Sequence, residues 1–277
     1  MSHHEDYFTA REGLRIYEQR WVPDGETAAV VVLVHGIQEH SGRYAKLAED
    51  LNRHGYAVHA MDLRGHGRSE GRRLFVRSFE EYLEDVEILL QRAATQQPGR
   101  PIFLLGHSMG GAIAALLCIT RPPKIRGLML SAPAVQIGGK VFPVLRRLAA
   151  WISAIWPTLR VVQLGGRFIS RDPAVVEAFL NDSLVYHGRF PVRIGAEILR
   201  VATQIQTDAH RLTLPLLVQH GTGDFATDPR GSRLLVARAG STDKTLHLYT
   251  GLYHEIFSEP ERDQVVGDLL AWLDRHR

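Results

Sequence analysis

The fold of this chain is decided by the stretch Pro101-Ile102-Phe103-Leu104-Leu105-Gly106-His107-Ser108-Met109-Gly110-Gly111. Its apolar residues 102–105 predict a buried strand, and the apolar run 112–119 that follows predicts a helix. The Gly-x-Ser-x-Gly pattern between them is typical of a sharp strand-to-helix turn, in which glycines let the two elements approach closely. Such a turn holds a strained serine beside the positive end of the helix. The pattern therefore predicts that Ser108 is a nucleophile.

A Gly-x-Ser-x-Gly pattern also occurs by chance, so the assignment needs an acid and then a histidine later in the chain. The apolar strand predicted at 214–219 leads into Gly221-Thr222-Gly223-Asp224. Asp224 is the predicted acid, because a carboxylate just beyond a strand end can hold the histidine ring in place. Asp228 is the competing candidate. It precedes Pro229 and a helical pattern, so we interpret it as a helix N-cap.

The predicted general base is His254, one of fourteen histidines in the chain. It follows an alternating strand pattern at 244–249 and a turn at 250–253, which places it after the acid and beyond a strand end. The other candidates are less suitable. His247 lies within a strand and His276 in a C-terminal helix, while three more precede the acid, namely His35, His66 and His107. The alternative is that His254 is a loop histidine without a catalytic role.

Two backbone amides are predicted to stabilise the oxyanion. Residues 29–34 form a continuous apolar run, typical of a parallel strand buried on both faces, and end in His35-Gly36-Ile37. In enzymes whose nucleophile lies in such a strand-to-helix turn, one donor comes from just after a strand of this kind. The other donor is the amide of the residue after the nucleophile. We therefore assign the oxyanion hole to the amides of Ile37 and Met109.

Strand and helix patterns alternate along most of the chain. This alternation predicts an α/β fold, with a mainly parallel sheet and helices on both of its faces. The 277 residues, 45% of them hydrophobic, suffice for one such domain with an insertion. The alternation stops near Pro133 and resumes after Leu212. We predict a hydrolase core of residues 1–132 and 213–277, with a helical cap inserted at 133–212.

Five segments of the sequence carry a family resemblance. They are His35-Gly36-Ile37-Gln38-Glu39-His40-Ser41-Gly42-Arg43-Tyr44, Asp62-Leu63-Arg64-Gly65-His66-Gly67-Arg68-Ser69, the turn at Ser108, Gly221-Thr222-Gly223-Asp224 and Tyr253-His254-Glu255. Together they resemble the monoacylglycerol lipases and their bacterial lysophospholipase-like relatives among the serine α/β-hydrolases. The resemblance implies an α/β-hydrolase fold. It also implies cleavage of monoacylglycerol to fatty acid and glycerol through an acyl-enzyme on Ser108, without a cofactor.

The resemblance further implies that Glu39 and Arg43 lie near the glycerol end of the substrate. The alternative is an ion pair on the surface of a helix. Other functions also stay open. A broad carboxylesterase would share every catalytic residue, and a non-enzymatic scaffold is disfavoured because the serine, acid and histidine are all present. A lysophospholipase would need positive charge for a phosphate group, which could come from Arg146, Arg147, Arg160, Arg167 and Arg171.

The predicted cap contains an apolar segment from Val141 to Trp156, which is too short to span a bilayer. One interpretation is an interfacial helix that docks on lipid, with Arg146 and Arg147 near headgroups and Trp151 and Trp156 at the boundary. The other interpretation is a cap helix packed on the core. The expected partner is a lipid ester substrate, with peripheral membrane contact as one of the two alternatives for the cap.

Composition and the N-terminal residues bear on the partners and the cellular location of the protein. The net charge is +3, from 33 basic and 30 acidic residues, and no arginine-rich run with interleaved aromatic residues indicates a nucleic-acid partner. The single cysteine, Cys118, lies in an apolar helical pattern and is predicted to be buried. No spacing of ligand residues indicates a metal. Residues 1–6 lack the features of a signal peptide, so we predict a cytoplasmic location, with His3 and His4 in a disordered end.

Overall fold

The computed structural model of the chain describes residues 1–137, 151–163 and 165–277. Its main feature is an eight-stranded sheet, accompanied by a separate pair of short strands. The strands are β1 (Ser2–Thr9), β2 (Arg15–Val22), β3 (Ala29–Val34), β4 (Tyr56–Met61), β5 (Ile102–His107), β6 (Gly127–Ser131), β7 (Arg160–Val162), β8 (Phe190–Pro191), β9 (Leu216–Gly221) and β10 (Lys244–Tyr249). The order across the large sheet is β1-β2-β4-β3-β5-β6-β9-β10.

Helices cover both faces of the sheet. They are α1 (Ala45–Arg53), α2 (Glu80–Gln96), α3 (Met109–Thr120), α4 (Pro173–Asn181), α5 (Val192–Asp208), α6 (Pro229–Arg238) and α7 (Arg262–His276). Apolar residues of α2, α3, α5 and α6 pack on one face, and those of α1 and α7 pack on the other. The central strands β3, β4, β5, β6 and β9 are parallel and buried throughout, as expected for strands covered on both faces. The predicted α/β class is therefore confirmed.

Outside the stretch between β6 and β9, the predicted elements agree with the structure except at the N-terminus. Ser2–Thr9 forms β1, which pairs antiparallel with β2, so the expectation of a disordered end was wrong. Most side chains of β1 are exposed, and the strand therefore lacks the apolar alternation from which strands are predicted. His3 nevertheless bonds Gln19 at 3.0 Å and stacks on Trp21, and these partners lie on the next strand.

The chain leaves the large sheet between β6 and β9. This stretch contains helix α4, helix α5 and the antiparallel pair β7–β8, a pairing that the sequence analysis did not predict. Helix α5 packs on α3, the helix that follows the strand-to-helix turn. Most of the predicted interfacial segment, including Arg146 and Arg147, lies outside the described residues. Residues 151–155 at its end are helical.

The turn between β5 and α3 is as tight as the glycine pattern predicts. Ser108 has φ +52° and ψ −117°, a conformation that side chains rarely adopt. A Cβ atom on Gly106 would lie 2.4 Å from the carbonyl oxygen of Gly110. A Cβ atom on Gly110 would lie 2.2 Å from the carbonyl oxygen of Val34, at the end of β3. Backbone atoms of three elements thus approach within distances that only glycine permits.

We expect Gly110→Ala to destabilise the protein by about 3 kcal/mol, because the new methyl group would collide with a backbone carbonyl that cannot move without shifting β3. The matched control is Gly267→Ala in the exposed face of α7, where a Cβ atom meets nothing within 4 Å. That change should stabilise the helix by up to about 1 kcal/mol. Denaturant unfolding of the two variants measures both free energies, and equal stabilities would contradict the close approach.

Candidate active site

Three predicted residues meet at the carboxyl ends of their strands. Ser108 follows β5, Asp224 follows β9 and His254 follows β10. His254 Nε2 lies 2.9 Å from Ser108 Oγ, and His254 Nδ1 lies 2.6 Å from Asp224 Oδ2. All three side chains are nearly or wholly buried. The structure therefore brings them together in the order nucleophile, base and acid, which suits proton transfer from the hydroxyl to the ring.

The carboxylate of Asp224 is held by more than His254. Its Oδ1 atom accepts hydrogen bonds from the backbone amides of Ala226 and Thr227, at 2.7 and 3.0 Å. Its Oδ2 atom also accepts from Thr227 Oγ1 at 2.8 Å and from His220 Nε2 at 3.1 Å. Burial alone would raise the pKa of Asp224, but the two histidines and these donors hold it far below its usual range. Asp224 is therefore ionised throughout the neutral pH range.

The competing acid, Asp228, has a different position. Its side chain accepts from the backbone amide of Arg230 at 2.9 Å and caps helix α6, with Pro229 at the first helical position. It also pairs with the Arg230 guanidinium. This arrangement is the N-cap that the sequence predicts.

His254 is a basic imidazole despite its burial. Burial by itself would lower its pKa, but the attraction of the Asp224 carboxylate and the hydrogen bond to it outweigh this effect and raise the pKa above its usual value. Glu255 and Glu39 add to the increase. A ring with this environment is well suited to accept the proton of Ser108 as the hydroxyl attacks.

Ile37 and Met109 both line the cavity that contains Ser108. Among the described residues neither amide has a hydrogen-bond acceptor. Met109 is the first residue of α3, so its N–H has no partner within the helix. A Cβ atom on Gly36 would lie 3.1 Å from Ser108 Cβ, and this closeness brings the end of β3 next to the nucleophile. Both amides are therefore available to an oxyanion formed at Ser108.

Glu39 and Arg43 form a buried group beside Ser108. Only 4% of Glu39 is exposed, so the alternative of a surface ion pair is wrong. Glu39 Oε1 accepts from the Gly36 amide at 2.5 Å and from the Tyr44 hydroxyl at 2.8 Å. Arg43 Nε lies 3.4 Å from Glu39 Oε2, and Arg43 Nη2 donates to Glu255 Oε2 at 2.6 Å. One guanidinium is therefore shared by two carboxylates.

The two carboxylates differ in their affinity for protons. Burial raises the pKa of Glu255, and neighbouring Glu39 raises it further despite the bond to Arg43. Burial would also raise the pKa of Glu39, but His107, Arg43 and the Tyr44 hydroxyl lower it. Glu39 is thus the more acidic member of the pair. Glu255 was missed as a site residue by sequence reasoning, although its place directly after His254 could have indicated it.

His107 is a second site residue that the sequence analysis did not assign. Its ring centre lies 4.7 Å from that of His254, and its Nδ1 lies 3.1 Å from Ser131 Oγ. Burial and the nearby His254 lower the pKa of His107 to about 3. His107 is therefore a neutral polar group beside the base at physiological pH. Its position next to Ser108 in the sequence was the available signal.

Two cavities of different character lie side by side at the candidate active site. An apolar cavity of about 530 Å³ contains Ser108 and His254 and is walled by Phe168, Phe179, Phe190, Ile198, Leu199 and Phe225. A polar cavity of about 430 Å³ is walled by Arg43, Tyr44, Lys46, Asp172, Glu259 and Arg262. Glu39, His107 and Glu255 line both cavities. The site is thus amphipathic, with the nucleophile on its apolar side.

Two of the five arginines considered for a phosphate group, Arg160 and Arg171, have other contacts. Arg171 pairs with Glu259 and Glu261, and Arg160 donates to the Tyr186 hydroxyl and to the Arg189 carbonyl oxygen. Neither arginine lines the polar cavity. In the part of the chain that the structure describes, no three His, Cys, Asp or Glu side chains form a group that could hold a metal ion.

Comparison with known proteins identifies the family of the chain. Residues 25–261 match the family model described as "Serine aminopeptidase, S33". The monoacylglycerol lipase of Mycolicibacterium smegmatis is 40% identical over 98% of this chain and 97% of its own length. The chain belongs to the monoacylglycerol lipase family of serine hydrolases. As the family resemblance implied, it is a carboxylic ester hydrolase.

Further similarities cover most of the chain. The solved structure of Paleococcus ferrophilus monoacylglycerol lipase is 35% identical, with a TM-score of 0.86 over 95% of this chain and 99% of that one. Phospholipase YtpA of Bacillus subtilis is 36% identical over 92% of this chain and 98% of its own length. Within the described residues, no helix combines the length and the apolar character needed to cross a membrane.

We expect Ser108 to react with a fluorophosphonate probe at a rate that falls as the pH drops through the pKa of His254. That pKa lies above about 6.5, because Asp224 raises it, so the rate should be lost below neutral pH. Asp224→Asn should slow the reaction by roughly 10⁴-fold, because the amide no longer holds the required tautomer. The matched control is Asp228→Asn, which should keep the wild-type rate and profile. The opposite result for the two variants would contradict the assignment of the acid.

Proposed function

We propose that this chain hydrolyses monoacylglycerols to a fatty acid and glycerol. The observation that carries the proposal is that the apolar cavity, which contains Ser108, shares Glu39, His107 and Glu255 with a polar cavity. A substrate with one acyl chain and a small polyol needs this combination, because each part of it then contacts a wall of matching polarity. The names of the similar proteins support the same substrate class.

In the first half of the reaction, Ser108 Oγ attacks the ester carbonyl carbon while His254 Nε2 takes the hydroxyl proton. The negative charge that develops on the carbonyl oxygen is stabilised by the amides of Ile37 and Met109. Each such donor contributes roughly 10²–10³-fold to kcat in related chemistry. The tetrahedral intermediate then collapses, and the protonated His254 donates its proton to the departing glycerol oxygen. The products are glycerol and an acyl-enzyme on Ser108.

In the second half, water replaces glycerol beside His254. His254 removes a proton from this water as it attacks the acyl carbon, and the same two amides again stabilise the oxyanion. Collapse of the second intermediate releases the fatty acid and returns the proton to Ser108. Asp224 stays ionised in every step, because its carboxylate is held by donors on both oxygens.

The stretch between β6 and β9 shapes the acyl side of the site. We propose that residues 133–212 form the cap of the enzyme. Phe168, Phe179, Phe190, Ile198 and Leu199 belong to this stretch and line the apolar cavity, which supports the assignment. The cavity removes an acyl chain from water, a gain of about 0.8 kcal/mol for each buried CH₂ group.

The polar cavity is proposed to hold the glycerol part of the substrate. Glu39 and Arg43 both line the polar cavity. Their carboxylate and guanidinium groups offer acceptors and donors that suit hydroxyl groups. Their burial and mutual contacts hold them in place before substrate binds. A site with such fixed polar groups discriminates strongly against analogues that lack the matching hydroxyls.

The proposal is tested by measuring fatty-acid release from a long-chain monoacylglycerol, from a lysophosphatidylcholine and from p-nitrophenyl butyrate. We expect the monoacylglycerol to be cleaved with the highest kcat/KM. Ser108→Ala should abolish release from all three, because the acyl-enzyme cannot form. The matched control is Ser183→Ala at an exposed position, which should retain full activity. Cleavage of the short ester alone would make the enzyme a carboxylesterase.

A phospholipase function is the second candidate, supported by the similarity to phospholipase YtpA. The lysophosphatidylcholine in the same experiment decides it, because cleavage of this substrate in preference to monoacylglycerol would replace the proposed function. The pairing of Arg171 with two glutamates argues against it, since this guanidinium is already neutralised.

We also propose that the cap contacts the membrane surface that supplies the substrate. Exposed apolar side chains gather in this part of the chain, among them Trp151, Trp156 and Leu159. Val162 and Phe168 are more than half exposed and at the same time line the apolar cavity. Apolar and aromatic residues around a cavity mouth favour an interfacial position.

Replacing Trp151 and Trp156 together by alanine should reduce sedimentation of the protein with phosphatidylcholine–phosphatidylglycerol vesicles by about tenfold or more, because two interfacial aromatic side chains are lost. Hydrolysis of dissolved p-nitrophenyl butyrate should not change. The control is Tyr7→Ala, which removes a partly exposed aromatic side chain from β1. Unchanged vesicle binding in the double variant would disprove the membrane contact.

A further inference from the structure

Asp224 lies at the centre of a chain of five hydrogen-bonded side chains. On the outer side it binds His254 Nδ1 at 2.6 Å, and His254 Nε2 lies 2.9 Å from Ser108 Oγ. On the inner side the same Oδ2 atom lies 3.1 Å from His220 Nε2, and His220 Nδ1 lies 2.7 Å from Ser232 Oγ. The inner His–Ser pair thus repeats the outer one with the opposite ring nitrogen on the carboxylate. The proposed reaction uses only Ser108, His254 and Asp224.

We propose that His220 is a positioning residue, which holds the Asp224 carboxylate toward His254 through a hydrogen bond from its Nε2–H. This role rests on the proposed function, in which Asp224 is the catalytic acid. His220 does not contact the cavity that contains Ser108, so it acts on the reaction only through Asp224.

The tautomer of His220 follows from the partners of its two ring nitrogens, which are Asp224 Oδ2 and Thr227 Oγ1 at Nε2 and Ser232 Oγ at Nδ1. An ionised carboxylate can only accept a hydrogen bond, so the ring nitrogen that faces Asp224 must carry a proton. The other nitrogen, Nδ1, is then an acceptor in the neutral ring, and the Ser232 hydroxyl supplies the donor. Ser232 therefore fixes the tautomer of His220 as Asp224 fixes that of His254.

Burial excludes solvent from the hydrogen bond between His220 and Ser232. His220 at the end of β9 and Ser232 in α6 are both 0% exposed. The ionisable groups around the His220 ring are Asp224 and Asp228, of which Asp228 is occupied by Arg230. The Asp224 carboxylate accepts from two backbone amides on Oδ1 and from two imidazoles and the Thr227 hydroxyl on Oδ2. Rotation of the carboxylate away from His254 would disrupt these hydrogen bonds together.

Loss of the inner bond has a predictable sign. Without the Nε2–H donor, the Asp224 carboxylate would keep more of its negative charge for the remaining ring. The cationic form of His254 would then be better stabilised, and its pKa would rise. Glu39, Glu255 and His107, the other ionisable groups around His254, would stay unchanged. The acid limb of the pH profile of kcat/KM should therefore move to higher pH as activity falls.

Two amide substitutions separate positioning from packing. In His220→Gln the side-chain amide reaches the position of Nε2 and can still donate to Asp224. In His220→Asn the amide reaches only the position of Nδ1, so it keeps the contact with Ser232 and loses Asp224. We expect His220→Gln to retain most of the wild-type kcat/KM with the same acid limb. We expect His220→Asn to lose about tenfold or more in kcat, with an acid limb raised by about half a pH unit or more.

Thermal unfolding of both variants is the control for stability, since each loses one of two buried hydrogen bonds. Equal activities in the two variants, or an unshifted acid limb in His220→Asn, would overturn the proposal. If His220→Asn does not fold, the ¹⁵N NMR shifts of the histidine rings in the wild-type enzyme decide instead. A His220 ring protonated at Nε2 supports the proposal, and a neutral ring protonated at Nδ1 overturns it. Full activity of Ser108→Ala or Asp224→Asn would signal failure of the proposed function itself.

Discussion

The close approach of three backbone segments at the strand-to-helix turn is the constraint on which the site depends. Gly106 and Gly110 let α3 begin directly against β5 and against the carbonyls at the end of β3. This contact forces Ser108 into a positive φ and leaves the Met109 amide without a partner among the residues that the structure describes. It also brings the loop of Ile37 next to the nucleophile. A single steric condition thus positions both the Ser108 hydroxyl and the amides that we propose stabilise the oxyanion.

Burial of charged groups around this turn is tolerated because each has partners. The Asp224 carboxylate accepts hydrogen bonds on both oxygens, and Arg43 lies between Glu39 and Glu255. Removing one member of such a group would leave an uncompensated charge in the interior. The same partners set the proton affinities that the reaction needs, with Asp224 far more acidic than usual and His254 more basic. Stability and chemistry therefore depend on the same contacts.

The stretch between β6 and β9 adds the features that turn a general hydrolase site into one suited to lipids. Its aromatic and aliphatic side chains line the cavity on one side of Ser108, while the loops of the core supply the polar residues on the other side. Helix α5 of this stretch also packs on α3 and belongs to the main apolar core. The cavity wall is therefore anchored to the helix that begins directly after Ser108.

The sequence by itself determined the α/β fold and singled out Ser108, Asp224 and His254 as candidates, because glycine patterns, apolar runs and the order of residues are local signals. It also separated Asp224 from Asp228, since a proline after an aspartate is a helix-start signal. Only the tertiary structure decided which buried groups surround these three. His107 and Glu255 stand next to recognised motifs, yet their partners His254 and Arg43 come from distant parts of the chain. The partners of His220 are nearer in sequence, but Ser232 reaches it only because helix α6 packs on β9. The pairing of the exposed strand β1 and the meeting of the two cavities were decided in the same way. Such contacts depend on how strands and helices pack in three dimensions, and no local pattern of residues encodes them.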